Sequence, residues 1–146
     1  MRRALIILTS CLLVVACQKF YPSKERVQIS RHGEDESHNK GQNCMNCHYQ
    51  AGNGEGWFTV GGSIYGNYRN GFVDIYSDQT LNELLLSIEI DQLGNFYTTE
   101  PIDFPTEGLV VGVRDAQGNV EFMSDPLPHG QCNLCHGTVI EPQIEI

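Results

Sequence analysis

The sequence predicts a mainly β protein: an antiparallel β-sandwich at about 57–125, flanked by two short segments that each contain a Cys-x-x-Cys-His (CxxCH) motif. Two observations predict the sandwich. Short segments rich in β-branched and aromatic residues recur, and turn residues such as Asn70-Gly71 and Gly94-Asn95 separate them. Short strands at this spacing are typical of antiparallel sandwiches. The predicted strands are 57–65, 72–76, 84–90, 96–99, 109–114 and 120–123.

The segment 84–90 fits two patterns. Apolar residues at 81, 84, 85 and 88 lie on one face of a helix, and Thr80 with Glu83 forms a capping-box signature. Apolar residues at 84, 86, 88 and 90 fit a strand equally well. The turn residues at 91–95 favour a hairpin with the following strand, so we predict a strand here.

The N-terminus has the pattern of a bacterial lipoprotein. Two arginines precede an apolar run at 4–15, which is too short for a membrane span and indicates a secretory signal. The sequence Val14-Val15-Ala16-Cys17 resembles a lipobox, so 1–16 is predicted to be a lipoprotein signal peptide and Cys17 to be lipidated. An ordinary signal peptide that ends by chance near a cysteine is the alternative. Lipidation at Cys17 would anchor the chain to a membrane without a spanning helix.

The segment 17–36 is predicted to be a flexible tether that precedes a domain at 37–146. It contains few apolar residues, one proline and mixed charge. The whole chain has 9 basic and 18 acidic residues, and removing the two arginines of the signal peptide changes the net charge from −9 to −11. This charge argues against nucleic acid as a partner and favours a redox partner protein with a basic docking surface. The alternative is that the acidic charge only maintains solubility.

The two CxxCH motifs lie at 44–48 and 132–136. In an exported protein this pattern is the attachment signature of c-type haem. The two thiols form thioethers with the vinyl groups of the porphyrin, and the following histidine binds the iron from one face. We therefore predict two haem c groups per chain. Cys44 and Cys47 would hold one with His48 as ligand, and Cys132 and Cys135 would hold the other with His136.

The remaining histidines are candidates for the sixth iron ligands. His38 and His129 lie just upstream of the two motifs and are predicted to be these ligands. The sequence leaves open which of them serves which iron, and solvated loop histidines are the alternative. Met45 and Met123 are weaker candidates, because Met45 lies inside the attachment loop and Met123 fits a core position. Six strands in up-and-down order would bring the two motifs together.

Three stretches carry a resemblance to a known family: Gly62-Ser63-Ile64-Tyr65, Val73-Asp74-Ile75-Tyr76 and the segment 90–97. They resemble strands of carboxypeptidase-regulatory-like (transthyretin-like) β-sandwich modules. With the two CxxCH motifs, the chain also resembles small bacterial envelope cytochromes in which such a module sits between the motifs. The resemblance implies a di-haem electron-transfer protein.

The expected function is therefore electron transfer, not enzymatic catalysis, by a di-haem cytochrome. It would be lipid-anchored in the bacterial cell envelope, with its body in the periplasm or at the cell surface. Two alternatives remain. A peroxidase-like haem enzyme would need one iron with an open sixth position. A zinc- or disulfide-stabilised binding lipoprotein would use the cysteines differently, although zinc gives no reason for a histidine after each cysteine pair.

Overall fold

The computed structural model describes residues 27–137 and 143–145. The predicted signal peptide at 1–16, the lipidation of Cys17 and the first part of the predicted tether, 17–26, lie outside the described residues. Within the described ranges, no helix has the length and apolar character needed to cross a membrane.

The described residues form two sheets, as the sequence predicts for a mainly β fold. One sheet has the order β4-β1-β7 and the other has the order β3-β2-β5-β6. All neighbouring strands are antiparallel except β1 and β7, which are parallel. The strands are β1 (Val60–Tyr65), β2 (Phe72–Tyr76), β3 (Leu84–Glu89), β4 (Asn95–Thr98), β5 (Val110–Arg114), β6 (Val120–Phe122) and β7 (Ile144–Glu145).

The core lies between the two sheets. Ile64 and Phe96 of the first sheet pack in one buried cluster with Val73, Ile75 and Ile88 of the second. Burying these side chains removes enough apolar surface from water to hold the sheets face to face, at roughly 1.5–3 kcal/mol for each large side chain. The antiparallel sandwich is therefore confirmed.

All six predicted strands form, with small differences at their ends. β1 begins at Val60 instead of position 57. The segment 84–90 is a strand, β3, and the helical alternative is wrong: Leu84 and Leu85 are exposed, whereas Ile88 is buried and lies opposite Val73 of β2. The sequence did not predict β7, which has only two residues.

The strand order is not up-and-down. The chain changes sheets between β1 and β2, returns for β4 and changes again for β5. The two motifs nevertheless meet, because the first precedes β1 and the second follows a parallel bridge between Gln131 and Gly61 of β1. β7 does not separate them, since it comes after the second motif in the chain.

The predicted tether needs a correction over residues 27–36. Ile29 forms an antiparallel bridge with Thr98 on the outer edge of β4. The Ser30 backbone N–H donates to Tyr97 O at 3.0 Å, and Ser30 is fully buried. The edge of β4 presents unpaired backbone groups that this segment satisfies. The part of the tether that the structure describes is thus docked on the sandwich.

Candidate functional site

The first CxxCH motif is folded by a short 3₁₀ helix, Cys44–Asn46. Asn43 caps it, since its side-chain oxygen accepts the backbone N–H of Met45 at 3.1 Å. The carbonyl oxygen of Cys44 then accepts the backbone N–H of Cys47 at 3.2 Å and of His48 at 3.0 Å. One turn of chain thereby brings both thiols and the imidazole into the same loop.

The imidazole of His48 is held in a defined orientation. Its ring is buried and stacks on Phe58, with 4.1 Å between ring centres and 7° between ring planes. Nδ1 lies 2.9 Å from the carbonyl oxygen of Glu55. A carbonyl only accepts, so in the neutral ring Nδ1 carries the proton and Nε2 keeps a lone pair. A histidine that binds a metal through Nε2 has this tautomer, and such a hydrogen bond fixes it.

The backbone at Gly54 packs closely against the same ring. A Cβ atom at this position would lie 2.6 Å from Nδ1 of His48 and 2.7 Å from its Cγ and Cε1. Only a glycine fits so close to the imidazole. Gly54 and the Glu55 carbonyl therefore support His48 together, although no pattern in the sequence marks either residue.

His38 lies next to His48. The two ring centres are 5.8 Å apart, and the His38 side chain is exposed. Two imidazoles that bind the same metal ion must lie close together, because each metal–nitrogen bond is about 2 Å long. The separation of His38 and His48 thus fits two ligands of a single iron, and His38 lies with its own motif instead of the other one.

A cavity of about 660 Å³ adjoins this group. Its volume is within the range of roughly 300–1,000 Å³ that is usual for cofactor sites. Both thiols of the first motif line it together with the two histidines. The residues of this cavity that could contact a bound cofactor include Cys44, Cys47, His48, His38, Phe58 and Tyr97.

The second motif forms a short helix, α1 (Cys132–His136). Its approach is fixed on β1, because the Gly61 N–H donates to the carbonyl oxygen of Gly130 at 2.9 Å. A side chain at Gly130 would collide with the carbonyl oxygen of Thr59. The glycine before the motif therefore allows α1 to start against the strand.

A second cavity, of about 910 Å³, adjoins α1 and is also of cofactor size. It is lined by Cys132, Cys135 and His136 of the second motif, and by His129 and Met123. The structure thus places each motif with its own upstream histidine. It also places Met123 at the second cavity, where the methionine packs partly on the core as well.

His129 differs from His48 in its hydrogen bonding. Its Nδ1 accepts the backbone N–H of Gln131 at 3.3 Å, so the proton of the neutral ring lies on Nε2. Before Nε2 could coordinate iron, this proton would have to move to Nδ1. The ring would then lose the hydrogen bond that Nδ1 accepts from the Gln131 N–H. His32, the third histidine outside the two motifs, lies elsewhere: its Nε2 is 2.8 Å from Gly71 O and its Nδ1 is 3.4 Å from Oε2 of Glu89.

The two motifs meet on either side of β1. A Cβ atom on Gly61 would lie 3.4 Å from Cβ of Cys44, and one on Gly62 would lie 2.8 Å from Cβ of Cys132. Successive residues of a strand face opposite sides, so one cysteine of each motif packs against an opposite face of the same strand. The Gly61-Gly62 pair provides the space for both.

Burial controls the acidity of these two thiols. It raises the pKa of Cys132 to about 12, and the nearby Cys44 adds a smaller effect in the same direction. Burial also raises the pKa of Cys44. Both thiols are therefore protonated at neutral pH in the folded chain without haem. Residues 27–137 and 143–145 contain no group of three or more His, Cys, Asp or Glu side chains placed to hold a bare metal ion.

Searches against models of protein families, against curated proteins and against solved structures found no match to this chain. The residues and the geometry of the two cavities are therefore the basis for the function proposed below.

Proposed function

We propose that this chain is a lipid-anchored di-haem c-type cytochrome that transfers electrons within a bacterial cell envelope. One observation carries the proposal: each of the two cavities is lined by both cysteines and the histidine of one CxxCH motif, and by a second potential axial ligand. The orientation of His48 supports it further, because the hydrogen bond to Glu55 O leaves Nε2 as the coordinating atom.

When bound, haem supplies a one-electron ferric/ferrous couple whose potential depends on the axial ligands and on burial. The residues of this chain attach, orient and tune it. Cys44 and Cys47 would form the thioethers at the first site, and His48 and His38 would be the iron ligands there. Electron transfer through such a site breaks no bond in the protein: one electron enters from a reduced partner and leaves to an oxidised one.

At the second site, Cys132 and Cys135 would hold haem with His136, and the sixth ligand has two candidates. His129 must give up a hydrogen bond that is long, at 3.3 Å, and joins residues only two apart. Losing such a bond costs on the order of 1 kcal/mol, which is small beside the energy of a metal–ligand bond. We therefore assign His129, and Met123 is its competitor.

The proposed location and partners are supported by features of the sequence. The lipobox-like segment that ends at Cys17 would anchor the protein to a membrane, with the body in the periplasm or at the cell surface. The net charge of −11 that remains without the predicted signal peptide would steer redox proteins with basic docking surfaces toward it, and disfavours nucleic acid.

Replacing one cysteine pair at a time tests the assignment. We expect Cys44→Ala/Cys47→Ala to retain one covalent haem with His136, and Cys132→Ala/Cys135→Ala to retain one with His48. Haem content per chain, measured after denaturation, is the readout. Retention of two covalent haems by either double variant would contradict the assignment.

Binding of carbon monoxide to the reduced protein separates an electron carrier from a haem enzyme. Two six-coordinate irons would bind little carbon monoxide, because both axial positions are taken. One full equivalent bound per chain would instead indicate an open position and favour the peroxidase-like alternative. The matched variant His38→Ala should create such a position at the first site and provides the positive control.

A further inference from the structure

We infer that Asn133, which lies inside the second CxxCH motif, is a positioning residue for the first haem site. Its side chain holds the segment 37–43, which contains His38, against β1. This inference rests on the function proposed above and deepens it: the sixth ligand of one haem is held in place by the attachment segment of the other.

The Asn133 side chain is almost fully buried, with 1% of its surface exposed, and all its hydrogen bonds leave its own motif. Oδ1 accepts the backbone N–H of Ser63 on β1 at 3.0 Å. Nδ2 donates to the carbonyl oxygen of Gln42 at 2.8 Å and to Oγ of Ser63 at 2.9 Å. Gln42 stands two residues before Cys44, so one amide group joins α1, β1 and the chain that enters the first motif.

The network continues from Ser63 toward His38. Ser63 Oγ donates to Oδ1 of Asn95 at 2.6 Å, and Nδ2 of Asn95 donates to Oγ of Ser37 at 2.8 Å. Ser63 Oγ also accepts the backbone N–H of Gly41 at 2.9 Å. The residues on either side of His38 are therefore held by a chain of hydrogen bonds that begins at Asn133.

The centre of this network is buried, whereas Gln42 at its end is exposed. Ser63 is 1% exposed and Asn95 is 5% exposed, so water cannot easily replace a lost partner. A buried donor or acceptor that loses its partner bears the full cost of its desolvation. Removing the Asn133 amide would leave the buried Ser63 N–H without its acceptor, and Gln42 O would keep only its weak contact with the Cys44 thiol at 3.8 Å. The segment at 37–43 would then shift to find others.

In the part of the chain that the structure describes, the first motif contains no residue that contacts the second site as Asn133 contacts the first. The coupling therefore runs from the second motif to the first site. Asn46 lies inside the first motif but is exposed, and its side chain is 3.5 Å from Nδ2 of Asn43, which precedes its own motif. The two asparagines are therefore a matched pair: each lies between the cysteines of a CxxCH motif, but only Asn133 reaches the other site.

The test uses the full-length protein with both haems and compares Asn133→Ala with Asn46→Ala. Electron paramagnetic resonance of the ferric protein reports the axial ligands of each haem, and His38→Ala identifies the signal of the first site. We expect Asn133→Ala to weaken His38 coordination about tenfold, the factor for one buried hydrogen bond. The first site would become partly high-spin and its midpoint potential would rise. Asn46→Ala should change this signal far less.

Ser63→Ala provides a second, milder variant outside both motifs. It removes only the hydroxyl that links Asn133 to Asn95 and Gly41, so it should shift the same first-site signal in the same direction. Agreement of the two variants would distinguish the network from a folding defect of α1 alone.

The outcomes separate the inference from the function on which it rests. If both haems are present and Asn133→Ala changes only the second site, or changes the first no more than Asn46→Ala does, the inference is overturned and the cytochrome remains. The inference is also overturned if Ser63→Ala leaves the signal of the first site unchanged. If the wild-type chain carries no haem, both proposals fail.

Discussion

The side-chain amide of Asn43 donates to the side-chain oxygen of Gln131 at 2.9 Å. Each of these residues immediately precedes the first cysteine of a CxxCH motif, although 88 positions separate them in the sequence. The pair lies beside β1, where Gly61 and Gly62 accommodate Cys44 and Cys132 on opposite faces. The sandwich thus joins two attachment segments that are distant in the sequence into one unit.

The Asn43–Gln131 contact should be measurable as a coupling energy. We use Asn43→Ser, because serine can still cap the 3₁₀ helix, and Gln131→Ala. Each single variant should lower the free energy of unfolding by about 1 kcal/mol, and the double variant should lose little more than either. Urea unfolding of the four proteins gives the coupling. Fully additive losses would show that the contact contributes no stability.

Gly54→Ala should disturb the first site through His48. The new Cβ would lie 2.6 Å from Nδ1 of His48, so the ring would have to move and its hydrogen bond to Glu55 O would weaken. We expect a loss of about 1–3 kcal/mol in stability, as in other overpacked sites. A change in the visible spectrum of one haem should accompany it. Gly33→Ala is the control, since a Cβ there has no atom within 4 Å. Equal effects of the two substitutions would contradict the role of Gly54.

Haem-free protein should show very different reactivity at its cysteines. Cys47 is exposed, whereas Cys132 is buried and the pKa of its thiol is raised to about 12. At pH 8 only about one Cys132 in 10,000 would be thiolate, the reactive form. Alkylation with iodoacetamide, followed by peptide mass spectrometry, should therefore label Cys47 at least tenfold faster, and urea should abolish the difference. Equal rates in the folded protein would contradict the burial of Cys132.

The docked N-terminal segment should make stability depend on pH. Glu89 accepts the backbone N–H of His32 at 2.9 Å, and this bond lowers the pKa of the Glu89 carboxyl, with Arg31 assisting. A group whose pKa is lower in the folded state stabilises that state above its unfolded pKa, which is about 4.3 for glutamate. That contribution is lost as the pH falls through the folded value.

Glu89→Gln should therefore lower the free energy of unfolding at pH 7 by about 1 kcal/mol. The difference from wild type should shrink as the pH falls through the lowered pKa of Glu89. Thermal unfolding between pH 7 and pH 3 measures both effects, with the exposed Glu107→Gln as control. A difference between Glu89→Gln and wild type that stays constant over this range would contradict the role of the carboxylate.

The strands could be predicted because they depend on local patterns. Alternating apolar residues and turn residues such as Asn70-Gly71 indicate their positions without reference to the rest of the chain. The sheet order could not be predicted in this way, since the pairing of β1 with β4 depends on contacts between distant segments. The docking of 27–36 was missed for the same reason: few apolar residues suggested a tether, but backbone pairing at Thr98 holds it.

The candidate site shows the same division. The CxxCH spacing marks Cys44, Cys47 and His48 as candidates directly, because covalent haem attachment requires those residue types at those positions. The hydrogen bond from His48 to the Glu55 carbonyl could not be predicted from the sequence, because every residue has a backbone carbonyl. Asn133 occupies a variable position of the motif, and only the fold shows that its amide reaches β1 and Gln42.

The most direct test of the di-haem proposal is the number of covalent haems on each polypeptide. The protein would be expressed with its signal sequence in a host that matures c-type cytochromes, then measured by pyridine haemochrome spectrum and intact mass. The account predicts a c-type spectrum with two haems per chain that remain attached after denaturation. A colourless protein whose mass shows no haem would contradict the account and leave a β-sandwich protein in which the four cysteines of the CxxCH motifs have another role.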